Sequence, residues 1–202
     1  MNISYSFISL RTIVSVIFAS YGLLFNKILY LLVSTILGPT SEIYYTIIHT
    51  YIYKKTISFQ SLLIYICISI LLPLLLSILF GFIFTHIKKN NDKVIYDIPS
   101  DYMLERTEYH PINLIFKIIS PFIIGLFLHY SIINNNVKLI IAISITLSLI
   151  IPLVDIGMIL GNNIYNKEHI NFKNYYIPLI TFISNISAVI LVSIFTIKIK
   201  KK

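Results

Sequence analysis

Residues 113–160 read NLIFKIISPFIIGLFLHYSIINNNVKLIIAISITLSLIIPLVDIGMIL, two apolar runs (113–133 and 137–160) joined by Asn134, Asn135 and Asn136. Each run matches the roughly 20 apolar residues needed to cross a hydrocarbon core, and consecutive amides suit a water-exposed turn. The stretch therefore predicts a transmembrane helical hairpin. Its second arm carries an acid, Asp155, well inside the apolar run. An ionisable group at membrane depth is a functional-site hypothesis by default.

Composition extends this reading to the whole chain. Of 202 residues, 57% are hydrophobic and 12% charged, with a mean hydropathy of +0.86, which excludes an ordinary soluble domain. The formal charge is +8, but the basic residues cluster beside apolar runs, at Lys54-Lys55, Lys88-Lys89 and from Lys198 to Lys202. Lipid headgroups fit that placement better than nucleic acid does. The single cysteine, Cys67, lies within an apolar run, so no internal disulfide and no cysteine-based metal site can form.

Three further spans flank the hairpin. Residues 7–37 are apolar apart from Arg11 and Asn26-Lys27, too long for a signal-peptide core, and a span over 11–32 is expected, ended by Gly38-Pro39. Residues 57–87 form one long run, kinked at Pro73, where a backbone donor is missing and the ring clashes with the preceding turn. Residues 175–197 form the last. Between the first two spans, Ile43, Tyr44, Ile47, Ile48, Tyr51 and Ile52 recur at helical spacing, which predicts a short interfacial helix. The expected fold is all-α: one integral membrane domain over 1–202, with spans near 11–32, 57–87, 113–133, 137–160 and 175–197. An odd number of spans puts the termini on opposite sides. The lysine tail then favours N-out and C-in within a cell (inner) membrane, although the basic connector 88–111 pulls the other way.

That connector is the one sizeable hydrophilic segment. Ser100 reads as an N-cap, with Pro111 as a stop, giving a short helix with Asp101, Glu105 and Glu108 on one face. The face either solvates, balanced by Arg106 and Lys93, or meets a cation or basic partner. After the hairpin, residues 161–174 read as a second interfacial connector.

Counting equal rises from Asn135 sets Asp155 level with about residue 115 on the preceding helix, half a turn from Lys117. Asp155 and Lys117 form the candidate intramembrane polar pair. They serve an ion or proton pathway, or they neutralise each other and snorkel to water. Pro152, Gly157 and Gly161 either loosen that helix or let another backbone approach. Ser184, Asn185 and Ser187 are expected to make polar contacts between helices. His129 lies toward the Asn turn, away from Asp155, and His49 suits an interfacial position.

Enzyme motifs are missing: no HExxH, no Gly-rich phosphate loop, no G-x-S-x-G and no Cys/His cluster with metal spacing. No catalytic residue, metal or cofactor is expected. The segment from Pro39-Thr40 to Tyr53-Lys54-Lys55-Thr56 resembles the first extracytoplasmic connector of immunity proteins against pore-forming colicins, which are small Lys-ended membrane bundles. The stretch is under a tenth of the chain, and the span count departs from that family. The resemblance implies a non-catalytic bundle that binds another membrane protein, as an immunity, inhibitory or accessory subunit. That is the leading expectation. The alternative is a transporter or channel component built on Asp155 and Lys117, and a weaker third is a membrane enzyme with its acids between Asp97 and Glu108.

Overall fold

The computed structural model describes residues 5–38, 59–91, 96–108, 110–133, 149–167 and 173–200, and among them all regular structure is helical, as composition and periodicity require. In chain order the elements are α1 (Tyr5–Leu24), α2 (Ile28–Leu37), α3 (Phe59–Ile66), a π-turn (Cys67–Leu71), α4 (Leu72–Asn90), α5 (Asp101–Thr107), α6 (Pro111–Ile133), α7 (Ile150–Asn166) and α8 (Lys173–Lys200). Two stretches, Ser6–Leu24 and Leu63–Asn90, are long and apolar enough to cross a membrane; Ile28–Leu37 and Leu114–Ile124 are shorter apolar helices. The interfacial helix expected near residues 43–52, His49 and the Asn134–Asn136 turn lie outside the described residues.

The first apolar run is two helices, which corrects the span expected over 11–32. Asn26 adopts a left-handed backbone (φ 55°), and the Lys27 N–H donates to the Gly22 carbonyl at 2.9 Å, closing α1 with the αL turn that asparagine tolerates. The chain then doubles back. Gly22 lies against Leu31, Ser15 Oγ donates to the Ser34 carbonyl, and Arg11 Nε donates to the Leu37 carbonyl at 3.2 Å. These pairings run in opposite order along the two helices, so α1 and α2 are antiparallel. A helix of ten residues rises about 15 Å, half the length of α1.

The second run is continuous. Helical structure runs through Pro73, with α3, the π-turn and α4 following one another without a gap. The strain from its ring and missing N–H falls on the turn before it, which widens to a π-turn containing Ser69, the residue four back. In the hydrophilic connector Ser100 caps α5 as expected, accepting from the Met103 N–H at 3.4 Å. Pro111, expected to stop that helix, instead begins α6, where a missing N–H costs nothing.

The last two elements also differ from their expected bounds. Helix α7 continues through Gly161, Asn162 and Asn163 to Asn166, so the interfacial connector expected from residue 161 starts too early. From Ile150 to Ile159 every side chain of α7 is buried, as fits a helix apolar all round. It packs against α4, α8, α1 and α2.

Small residues set the closest crossing. A Cβ added at Gly157 would lie 1.7 Å from Ser77 Oγ, at Gly161 2.1 Å from the Ile78 carbonyl, and at Gly81 2.2 Å from the Met158 carbonyl. Gly157 and Gly161, four apart, thus seat α7 directly on the backbone of α4. Of the two roles expected for these glycines, close approach is the one found. Contacts 77 to 157 and 85 to 162 advance together, so α4 and α7 are parallel.

The contacts also fix where α1 begins and α8 finishes. Ile8 packs with Ile64, Tyr65 and Ile68, while Phe25 meets Tyr96 and Tyr96 meets Phe84, so α1 runs parallel to α3–α4. Asn163 pairs with Tyr175, and Leu149 and Leu153 cluster with Phe182 and Ile186, so α8 runs antiparallel to α7. The start of α1 and the finish of α8 are therefore at the same end of the bundle. The odd number of spans expected from the sequence would put them at opposite ends, and the difference begins at Asn26, where the chain turns and sends α2 back along α1.

Candidate functional site

Asp155 occupies the second turn of α7 and is 0% exposed. Neither of its carboxylate oxygens has a hydrogen-bond partner. The register set by Gly157 on Ser77 places Asp155 within a turn of Ser77 in height, near the middle of the apolar segment Leu63–Asn90. Ile151, Val154, Ile156, Met158 and Ile159, its neighbours along α7, all belong to the main apolar core.

Of the cations nearest in the fold, Arg106 lies in the last turn of α5 and Lys117 in the second turn of α6, and neither bonds to this carboxylate. Lys117 is half-buried, and its Nζ donates to the backbone carbonyl of Arg106 at 3.2 Å. The pairing expected between Asp155 and Lys117 is not seen as a contact: the ammonium bonds to the Arg106 carbonyl, and the carboxylate oxygens have no hydrogen-bond partner.

Arg106 reaches this region because the connector folds into the bundle. Met103 is 0% exposed and packs in the main core, while Ser100 Oγ donates to the Leu23 carbonyl and the side chain of Asn26 holds both Tyr102 N (3.1 Å) and Asp101 Oδ2 (3.3 Å). The sequence reading set Arg106 against the acidic face of α5. The available signal was the apolar pair Met103-Leu104 inside a hydrophilic segment.

The acidic face itself is solvated. Asp101, Glu105 and Glu108 are all exposed, and among the described residues no three His, Cys, Asp or Glu side chains gather to hold a metal. Beside it, a cavity of about 480 Å³ is lined by Asn26, Lys88, Tyr96, Asp97, Ser100 and Asp101 among others. Lys88 pairs with Asp97 there. Burial raises the Tyr96 phenol above its ordinary pKa, and its hydroxyl donates to the Phe84 carbonyl at 2.8 Å.

A second polar group went unforeseen because it lies in the presumed connector. Asn162 and Asn163 are buried, with Thr85 Oγ1 donating to Asn162 Oδ1 at 3.0 Å and Asn163 Nδ2 to the Tyr175 hydroxyl at 2.7 Å. Asn166 Nδ2 adds a bond to Asn162 Oδ1 at 3.3 Å. Every partner is satisfied, so this cluster ties α4, α7 and α8 together. On α8, Ser184 and Asn185 are buried and Ser187 is half-buried, where the helix packs against α6 and α7. Nothing of the His129 side chain lies among the described residues.

These features define a helical bundle with two helices of membrane-crossing length and an acid enclosed in its central helix. Residues 31–195 match the family described as a domain of unknown function (DUF389), and the chain belongs to it. The matched stretch runs from α2 into α8 and includes Arg106, Lys117 and Asp155. No curated protein and no solved structure matches the chain.

Proposed function

We propose that this chain is a multi-pass integral membrane protein serving as a transport or channel component, with Asp155 as the group that its permeant ion meets. One observation carries the reading. A carboxylate enclosed at mid-height with no hydrogen-bond partner costs stability, since an unsatisfied buried polar group forfeits about 1–3 kcal/mol, and more when charged. A purely structural acid would be expected to sit where a partner or water satisfies it.

In this reading the crossings are α1, the α3–α4 unit, α6, α7 and α8, and the chain passes back once more between the first two, a return that α2 begins, so the number of passages is even. At 1.5 Å per residue α6 rises about 34 Å and α8 about 42 Å, enough for a hydrocarbon core. Ile115, Phe116, Ile119 and Ile123 on α6, and Leu75 and Leu79 on α4, are exposed and would face lipid tails. The lysine tail favours a cytoplasmic location for both chain ends in a cell (inner) membrane.

The other expectation, an immunity, inhibitory or accessory subunit that binds a membrane protein, draws on the same exposed apolar faces. Lipid covers such faces equally well, so they do not favour a protein partner. The deciding experiment is reconstitution of the purified full chain into phospholipid vesicles, with ion flux measured for the native protein and for Asp155→Asn. Flux that Asp155→Asn removes supports transport. A chain that carries no ion but co-purifies stoichiometrically with one membrane protein in mild detergent would replace it with the subunit reading.

A further inference from the structure

One face of α4 changes character toward its end, where it borders α7. Leu75, Leu79, Phe82, His86 and Lys89 recur at steps of four and three, so they line one stripe of the helix. The stripe lies roughly a quarter-turn round α4 from Ser77, Ile78 and Gly81, the residues seated on α7. All five of its side chains are exposed. Tyr165, on the last turn of α7, closes the stripe from the side. Its ring meets Phe82 at 5.0 Å and His86 at 5.7 Å, both edge-on, and its hydroxyl is 3.1 Å from His86 Nδ1. Lys89 Nζ stands over the same ring, 5.5 Å from its centroid, and Asn90 Nδ2 is 3.0 Å from His86 Nε2. Among the described residues no carboxylate joins this group; the neighbouring Lys88 pairs with Asp97 instead.

Resting on the membrane-spanning reading above and not on transport, we infer that this seam between α4 and α7 seats a phospholipid of net negative headgroup. Its phosphate meets Lys89, His86 and Tyr165, and an acyl chain lies along Leu75, Leu79 and Phe82. Dimensions support the placement. From Leu75 to His86 the helix rises about 16 Å, close to the half-thickness of a ~30 Å hydrocarbon core. Helix α4 ends at Asn90, where the hydrophilic connector begins, so the cationic end of the stripe is at the water boundary. Apolar groups over one leaflet's depth, capped by donors at the water side, follow the order of groups along a phospholipid. Charge supports it too. A phosphodiester brings acceptor oxygens and a negative charge to an ammonium, an imidazole, a phenol and an amide, all able to donate. A zwitterionic headgroup carries its own cation toward Lys89 and loses part of that attraction. The Tyr165 ring already holds Lys89 and His86 in place, so little side-chain freedom is lost when the lipid arrives.

The test is native mass spectrometry of the full chain in mild detergent, titrated with phosphatidylglycerol or with phosphatidylcholine of the same acyl chains. Phosphatidylglycerol should bind more tightly, and Lys89→Gln should weaken it about fivefold while leaving phosphatidylcholine almost unchanged. Tyr165→Phe, which removes only a hydroxyl, should weaken it by less. Lys27→Gln, an equal loss of charge on an exposed residue at the same end of the bundle, should have no effect. Short-chain phosphatidylglycerol should bind poorly, because the apolar stripe is then left uncovered. In native membranes, a photoreactive residue in place of Leu79 should cross-link to lipid. Equal binding of the two lipids, a preference that Lys27→Gln lowers as much as Lys89→Gln does, displacement by an equal concentration of inorganic phosphate, or cross-linking from the Leu79 position to a protein would each overturn the site and leave the membrane reading standing. A chain that stays dissolved without detergent and takes up neither lipid would overturn both.

Discussion

Replacing Asp155 with valine should raise the thermal midpoint of the purified protein in detergent while abolishing flux. The orphaned carboxyl forfeits about 1–3 kcal/mol that an apolar side chain of similar size recovers, so the variant gains stability at the expense of the proposed function. Thermal unfolding followed by circular dichroism reads this directly. A fall in midpoint would mean that the carboxyl is held by a buried partner, which removes the reason for reading it as functional. Asp155 was legible in the sequence because one acid in an apolar run stands out. Arg106 was not legible: it lies in a hydrophilic segment, and only the burial of Met103 carries its helix into the bundle.

At the scale of elements, the α4–α7 crossing and the α1–α2 hairpin carry separate expectations. Gly161→Val should destabilise by about 3 kcal/mol or more, since the added Cβ would already lie 2.1 Å from the Ile78 carbonyl and 2.7 Å from the Phe82 nitrogen, backbone that cannot yield without parting the helices. Gly38→Ala should cost less, because its nearest obstacle is the flexible Ile150 methyl at 2.8 Å. Denaturant titration of the two variants side by side gives the comparison; equal losses would show that the crossing is looser than the geometry states. For the hairpin, cysteines in place of Ser15 and Ser34, in a Cys67→Ser background, should cross-link under mild oxidation. In an unbroken helix these positions would be about 28 Å apart and could not join. The break went unread in the sequence because Asn26-Lys27 suits either a snorkelling pair on a long helix or an αL turn.

For the molecule as a whole, the bundle's connectivity predicts that reporters fused before Tyr5 and after Lys200 report from the same side of the membrane. Both should be accessible to a membrane-impermeant reagent in vesicles of one orientation and protected in the other. Opposite-sided reporters would mean that α1 and α2 join into a single crossing in lipid, and that the parallel course of α1 and α3–α4 is wrong. Odd and even crossings differ by one turn, which is why topology depends so heavily on residues 25–27.

Hydropathy alone determined that this chain is helical and apolar along most of its length, and it marked the acid, because burying backbone without water leaves helices as the economical solution and makes a lone carboxyl conspicuous. It also placed the α5 cap, since Ser100 before Asp101 is a local signal with a local cause. What tertiary structure decided is which helix is central and which elements pack on it. Glycine spacing on α7 has meaning only once α4 lies against it. Asn162 and Asn163 become core residues only when Thr85 and Tyr175 arrive to bond them. Such partners come from helices far apart in the chain, and no local rule of propensity or periodicity reports a meeting that packing alone creates.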